Sequence, residues 1–324
     1  MYPIETLQSK IQQAFRDLIL PDRPAELYDP IRYTLDLGGK RLRPFLVLAS
    51  CDMFGGKIED AVHPALGIEL FHNFTLLHDD LMDQAPLRRG KETVYKKWNS
   101  NIAILAGDTI FALANREILK TNIEAVQGIS DLFNITAIEV CEGQQLDMNF
   151  ELRKEVTLPE YIEMIRLKTA VLLAASLKIG AMIAGASEEK SKAIYDFGIS
   201  TGIGFQIMDD LLDVYGTEEK FGKKPGGDIL AAKKTYLYLK ALQLSDRNDA
   251  ARLVSVYESG ELPAVEKIET VRALFNRVQI EDITRNEIDT YWKNAVRIIH
   301  SLKLPENQIL PLMEYCSKLM ERDY

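Results

Sequence analysis

The chain has 324 residues, 47% hydrophobic and 27% charged, the composition of a globular protein long enough to bury a sizeable core without disulfide or zinc staples. Its 39 Lys and Arg against 48 Asp and Glu leave a formal charge of −9, which opposes contact with nucleic acid and anionic lipid, so coating either is excluded as the main role. An anionic ligand must then be met by locally concentrated cations or by metal.

The first residues carry no basic-then-apolar signal region. Cys51, Cys141 and Cys316 form neither a C-x-x-C pair nor a zinc spacing. Scattered, odd-numbered thiols predict a reducing, cytoplasmic setting. Leu7, Ile11, Phe15 and Leu18, then Ile31 and Leu35, recur at three- and four-residue spacing, the helical period. After Gly38-Gly39 the basic stretch Lys40-Arg41-Leu42-Arg43-Pro44 enters a further helix, with Lys40 and Arg43 on one face. Four segments are apolar on more than one face: Pro64–Asp83, Asn101–Leu119, Ala170–Ala186 and Tyr195–Tyr215. Such helices belong in the centre of a bundle. Ala170–Ala186 contains Lys178 and two Gly, too short and too polar to favour a membrane span, so it reads as a buried core helix. Gly and Pro at 55–56, 86–90, 159, 216, 225–227, 263 and 305 fall between the periodic blocks. Alternating strand patterns are scarce. The expectation is an all-α fold in one domain, residues 1–324, with central helices ringed by amphipathic ones around a substrate cavity.

Two of the central helices end in the same pattern. Asp79-Asp80-Leu81-Met82-Asp83 reads D-D-x-x-D, and Asp209-Asp210-Leu211-Leu212-Asp213 repeats it 130 residues later. On a helix, i and i+4 share a face, so the first and last Asp of each motif converge and repel unless a hard cation lies between them. Mg²⁺ suits this, since it takes oxygen ligands and keeps waters and substrate phosphates in its octahedron. One such cluster could equally be a solvated acidic helix end. Two copies, each late in its helix against the dipole and each after residues that should be buried, favour metal. Arg88-Arg89-Gly90-Lys91 follows the first motif; Lys223, Lys224, Lys233 and Lys234 follow the second. Singly these are ordinary surface charges. Bracketing both acidic clusters, they fit a site for polyphosphate with metal, arginine forks gripping phosphate oxygens and lysines supplying point charge.

With these segments in place, the sequence resembles the trans-type isoprenyl diphosphate synthases, the polyprenyl synthetase family. The resemblance rests on Gly38–Pro44, Glu69–Gly90, Gly107-Asp108, Gly143-Gln144 with Asp147, Lys168-Thr169 and Gly204–Thr235, which follow the family's order over most of the chain. It implies an all-α homodimer with three Mg²⁺ ions per active site. Asp79 and Asp83, with Asp80 beside them, resemble the first metal motif and Asp209 the main ligand of the second, supported by Asp210 and Asp213. Lys40, Arg43, His72 and Arg89 resemble the pocket for isopentenyl diphosphate. Arg88, Lys168, Lys223 and Lys233 resemble the contacts to the allylic diphosphate. Thr169 and Gln206 would lie beside the reacting carbons, with Phe205 packed near them. Phe74 and Thr75 occupy the two positions where the family sets product length, and Phe71, one turn deeper, could shorten the pocket further.

The resemblance further implies ionisation of an allylic diphosphate, alkylation of isopentenyl diphosphate by the resulting cation, and loss of a proton to pyrophosphate. One aromatic and one small residue at Phe74 and Thr75, with no residues inserted in the first motif, resemble synthases making geranylgeranyl diphosphate; Phe71 keeps farnesyl diphosphate as the alternative. A class I terpene cyclase would need no Lys40/Arg43/His72 pocket, and a non-catalytic partner subunit tends to lose aspartates that are all present here. No stable membrane insertion is expected. His78 reads as packing, while His63 and His300 have no visible partner. Tyr236-Leu237 stands where the family often has Pro, which touches only local loop shape.

Overall fold

The computed structural model describes residues 2–122, 124–217 and 225–320. They are mostly helical: α1 (Ile4–Arg16), α2 (Ala25–Asp36), α3 (Leu42–Met53), α4 (Ile58–Met82), α5 (Val94–Lys97), α6 (Ser100–Ile118), α7 (Val126–Leu152), α8 (Leu158–Ile165), α9 (Val171–Ile183), α10 (Glu188–Tyr215), α11 (Gly227–Leu230), α12 (Tyr236–Leu244), α13 (Arg247–Glu258), α14 (Ala264–Arg277), α15 (Ile280–Ser301) and α16 (Glu306–Met320). Among the described residues the strands are confined to one antiparallel hairpin, β1 (Leu87–Arg88) with β2 (Lys91–Glu92). No helix of the described residues is long and apolar enough to cross a membrane.

The chain forms two compact units. The first comprises Met1–Ile135, Ala175–Tyr195 and Leu304–Leu312. Its central element is α4, whose buried residues Ile58, Ala65, Leu66, Ile68, Leu70, Phe71 and Leu77 leave no polar face over most of its length. Full burial of each large apolar side chain contributes about 1.5–3 kcal/mol. α4 packs against α6, α3 and α1. Gly67 permits the close α4–α6 crossing, since a Cβ there would stand 2.9 Å from the Ala114 carbonyl oxygen.

The second unit comprises Thr136–Ala174, Asp196–Lys303 and Met313–Tyr324. α12 is its hub, burying Tyr236, Leu237, Tyr238, Leu239 and Ala241 against α8, α13, α14 and α15. The loop before α8 closes in a capping box: the Thr157 hydroxyl accepts from the Glu160 N–H, and the Glu160 carboxylate accepts from the Thr157 N–H at 2.8 Å. α8 runs into α9 through a π-helical turn, Arg166–Ala170. The sequence predicts a separate helix from Ala170 onward; instead one continuous segment carries a local widening there. Gly143 of α7 faces this turn, and a Cβ at Gly143 would collide with the backbone nitrogen of Lys168. The turn thus lies directly on the α7 backbone.

Candidate active site

In the first unit the site is built on the end of α4. Asp79 and Asp80 fill its last turn and Asp83 caps it, the Asp83 N–H donating to the Asp79 carbonyl at 2.8 Å. Asp79 is half-buried and Asp83 exposed. Asp80 is buried, and its Oδ2 accepts from Arg88 Nε at 2.7 Å. Arg88 is aimed by the hairpin. Arg89 and Gly90 form its two-residue turn with φ of 54° and 75°, the doubly positive geometry that matches strand twist. Positive φ is uncommon for a non-glycine residue. Here the Arg89 guanidinium is anchored by donating to the Gly38 carbonyl oxygen. Gly39, at φ 139°, lies directly beneath that guanidinium, where a Cβ would stand 2.7 Å from Nη2. Of the glycine pair before the basic stretch, Gly39 makes room for Arg89 and Gly38 supplies the carbonyl that anchors it.

Arg41, also at positive φ, donates to Glu69 Oε1 and the Leu35 carbonyl, both at 2.8 Å, and stacks over Phe15. Arg43 Nη1 lies 3.1 Å from His72 Nε2. Guanidinium has no acceptor, so His72 must accept through Nε2 and carry its proton on Nδ1. Burial, and then the charges of Arg43, Arg89, Arg88 and Arg41, push the His72 pKa well below 6.5 and hold the ring neutral. The structure brings Arg43 and His72 together, with Arg41, Arg88 and Arg89 close enough to act on the same ring. Lys40 is exposed at the start of this group.

Deeper along α4, Phe71 and Phe74 join Phe111 of α6 and Phe133 of α7 in one aromatic cluster, with ring centroids 5.2–6.3 Å apart. Phe71 is buried, Phe74 half-buried, and Thr75 donates to the His72 carbonyl at 2.9 Å. His78 packs edge-on to Phe74 and into the space left by Gly107, the packing role expected of it. His63, without a visible partner in sequence, lies 2.8 Å from Glu117, a buried carboxylate that Lys120 also holds. The two are 54 positions apart, beyond the reach of local spacing.

The second unit presents the other motif in the last two turns of α10. A pocket of about 130 Å³ there is lined by Tyr161, Lys168, Thr169, Gln206, Asp210 and Lys233, among others. The π-helical turn delivers Lys168, which donates to Asp147 at 2.6 Å, and Thr169, whose hydroxyl donates to Gln206 Oε1 at 3.0 Å. Such widened turns recur at functional sites. Phe205 packs against the unit's core beside Gln206. Asp210 is buried and takes hydrogen bonds from the Tyr161 hydroxyl, Gln206 Nε2 and the Tyr236 N–H. Burial and the neighbouring Asp228 raise its pKa well above the carboxylate range, against the pull of those donors. Asp213 anchors the segment after the motif: its Oδ2 accepts from the Asp228 N–H at 2.9 Å and its carbonyl from the Gly226 N–H at 2.5 Å. Lys233 is tied down through its carbonyl, which accepts from Tyr257 at 2.7 Å. Lys223 lies outside the described residues. Tyr161 escaped sequence reasoning, although it stands two helical turns before Lys168 on the same face.

Among the described residues no three His, Cys, Asp or Glu side chains gather to hold an ion by themselves. Asp80 and Asp210 are committed to donors of the chain, and Asp213 to the first turn of α11. Asp79, Asp83 and Asp209 are reached by solvent at the helix ends. Within each unit such carboxylates suit Mg²⁺, which binds one or two of them and completes its shell with water and phosphate.

Comparison with known proteins identifies the family and the fold. The family model described as polyprenyl synthetase matches residues 24–276. Geranylgeranyl diphosphate synthase of Methanosarcina mazei is 37% identical over 324 residues, 99% of this chain and 97% of that protein. A crystal structure of a geranylgeranyl pyrophosphate synthase superposes with a TM-score of 0.94 at 43% identity, covering all of both chains. The structure of the Corynebacterium glutamicum geranylgeranyl pyrophosphate synthase, complexed with isoprenyl diphosphate and magnesium, gives a TM-score of 0.87 at 25% identity over 99% and 98% of the two chains.

Proposed function

Since the chain belongs to the polyprenyl synthetase family and is a prenyltransferase, we propose that it condenses isopentenyl diphosphate with allylic diphosphates in the presence of Mg²⁺, with geranylgeranyl diphosphate as main product. The observation that carries this reading is the group of Arg43, His72, Arg88 and Arg89 beside the first aspartate motif, in a chain of net charge −9. A cyclase acting on a single diphosphate has no use for a second anion pocket. Family membership across 24–276, which spans residues of both units, supports a single functional domain over 1–324.

In this reading Lys40, Arg43, His72 and Arg89 hold isopentenyl diphosphate. His72 gives the anion its Nδ1–H, because Arg43 occupies Nε2. Arg88, Lys168, Lys223 and Lys233 hold the allylic diphosphate, with Asp147 orienting the Lys168 ammonium. Asp79, Asp83 and Asp209 bind Mg²⁺, three ions per site, while Asp80, Asp210 and Asp213 fix the surroundings. The ions, when bound, neutralise charge that develops on the leaving pyrophosphate. Cations preset around that group lower the barrier because they need no reorganisation as the bond breaks. The oxygens of Thr169 and Gln206, beside Phe205, direct their dipoles at the allylic cation, and apolar walls keep water from it. The departing pyrophosphate is the base for the final proton. Phe74, backed by Phe71, Phe111 and Phe133, forms the floor that stops growth, with small Thr75 leaving depth for twenty carbons. A floor raised by Phe71 would give farnesyl diphosphate instead.

A second copy of the chain completes the assembly. α6 exposes Ile104 and Leu105, and α7 exposes Ile135 and Ile138, large apolar residues that a homodimer contact would cover. Sedimentation should give a dimer, and Leu105→Asp a monomer; a monomeric parent chain rejects this. The buried Cys51 and Cys316 thiols fit a cytoplasmic setting. The reaction itself is tested with labelled isopentenyl diphosphate and dimethylallyl diphosphate. Label should enter longer products with Mg²⁺, stop with EDTA and resume when Mg²⁺ is restored. Incorporation indifferent to EDTA contradicts the metal assignment.

A further inference from the structure

Asp210 is a buried acidic side chain whose described hydrogen-bond partners are all neutral. Desolvating such a group is costly unless its oxygens are satisfied. Two donors meet Oδ2, the Tyr161 hydroxyl and, at 3.4 Å, the Tyr236 N–H; Gln206 Nε2 meets Oδ1 at 3.2 Å. The two faces of the Gln206 amide are therefore distinguished. Its NH₂ is drawn to Asp210, and its carbonyl oxygen is turned the other way, onto Thr169 Oγ1 at 3.0 Å. The Thr169 hydroxyl could serve either face, because it both donates and accepts. With Asp210 accepting at both oxygens, as these contacts have it, the orientation of the carbonyl dipole is set at Asp210, and the position of Asp210 is set by the groups that hold it. Of these the Tyr236 N–H is backbone, and Tyr161 is the side chain, 3% exposed on α8 and lining the same pocket.

We propose that Tyr161 is a positioning residue for the condensation, holding Asp210 so that Gln206 presents its carbonyl oxygen with Thr169 at the reacting carbons. This rests on the reading of Thr169 and Gln206 given above. The hydroxyl touches neither substrate; its effect reaches the reaction through the chain Tyr161, Asp210, Gln206, Thr169.

The test is steady-state kinetics of Tyr161→Phe, Gln206→Leu and the double variant, with thermal unfolding recorded for each. Tyr161→Phe should lower kcat about tenfold or more while both Michaelis constants stay within about twofold, because orientation of a dipole matters most where charge develops. The double variant should be no slower than Gln206→Leu alone, since the tyrosine acts through that amide. Unchanged kcat in Tyr161→Phe, a fall confined to the Michaelis constants, or losses that multiply in the double variant would overturn the proposal. Should Tyr161→Phe not fold, Tyr161→Leu, which also lacks the hydroxyl, carries the same expectations. If Gln206→Leu itself keeps full kcat, the reading of Gln206 fails first, a result distinct from any behaviour of Tyr161.

Discussion

The Arg43–His72 contact shows how one distance fixes a protonation state and, through it, a ligand. An imidazole 3.1 Å from a guanidinium can only accept there, so the donor it keeps for a ligand is Nδ1–H. Arg43→Ala removes a charge-assisted bond of about 1.5–3 kcal/mol. The Michaelis constant for isopentenyl diphosphate should rise at least about tenfold and that for the allylic primer about twofold or less; equal rises would mean the two pockets are wrongly divided. His72 also sets a pH dependence. Its folded pKa lies below 6.5, so above that value both folded and unfolded chains hold a neutral ring and it contributes nothing. Below it the unfolded chain takes up a proton that the folded chain refuses, and stability falls by up to about 1.4 kcal/mol per pH unit. In urea unfolding between pH 6.5 and 5, His72→Gln should lose less stability than the parent; parallel slopes would show the ring titrates normally. At this scale the sequence was most legible where chemistry repeats in register. The D-D-x-x-D pairs and the Gly-led basic stretch stand out from spacing alone, while Lys168-Thr169 is marked only by the family resemblance. The divisions within them did not: only packing shows that Asp80 answers Arg88, that Asp210 is held by Tyr161, or that His63 meets Glu117.

Elements apolar on every side were legible for the same reason that they matter. From Pro64 onward in α4 and from Tyr195 onward in α10 almost no side chain is exposed, and each stretch carries its aspartate motif near the helix end. The π-helical turn at Arg166–Ala170 was not legible, because its cause lies on another helix. Gly143 carries no signal in its own neighbourhood, yet a side chain there would enter the backbone of Lys168. The hairpin was read only as a loop, since Arg89 is an unusual partner for Gly90 in a turn with two positive φ values, and its anchor on Gly38 is remote in sequence. The role of the turn can be measured. Gly143→Ala should cost about 1–3 kcal/mol of unfolding free energy, the range for forcing extra volume into a packed contact. It should also lower kcat, since Lys168 and Thr169 ride on the displaced turn. A variant as stable and as active as the parent would show that the close approach is unimportant.

For the molecule as a whole, a net acidic chain and a local basic group are one design. Net charge keeps the chain from general polyanions, while Arg43, Arg88 and Arg89 concentrate attraction where diphosphate is to bind. In the proposed reading the same division serves the chemistry, because apolar walls supply the dry surroundings that a carbocation needs. Length is then a matter of where the path is blocked. Phe74 lies five residues before Asp79, about 7.5 Å along the helix axis at 1.5 Å per residue, with three further phenylalanines behind it. The measurement that bears most directly on this account is the chain length of products made from labelled isopentenyl diphosphate and dimethylallyl diphosphate by the parent protein and by Phe74→Ala. The account predicts twenty carbons as the main product of the parent and at least one isoprene unit more from the folded, active variant. A main product of any other length from the parent, or an unchanged distribution in the variant, would contradict it.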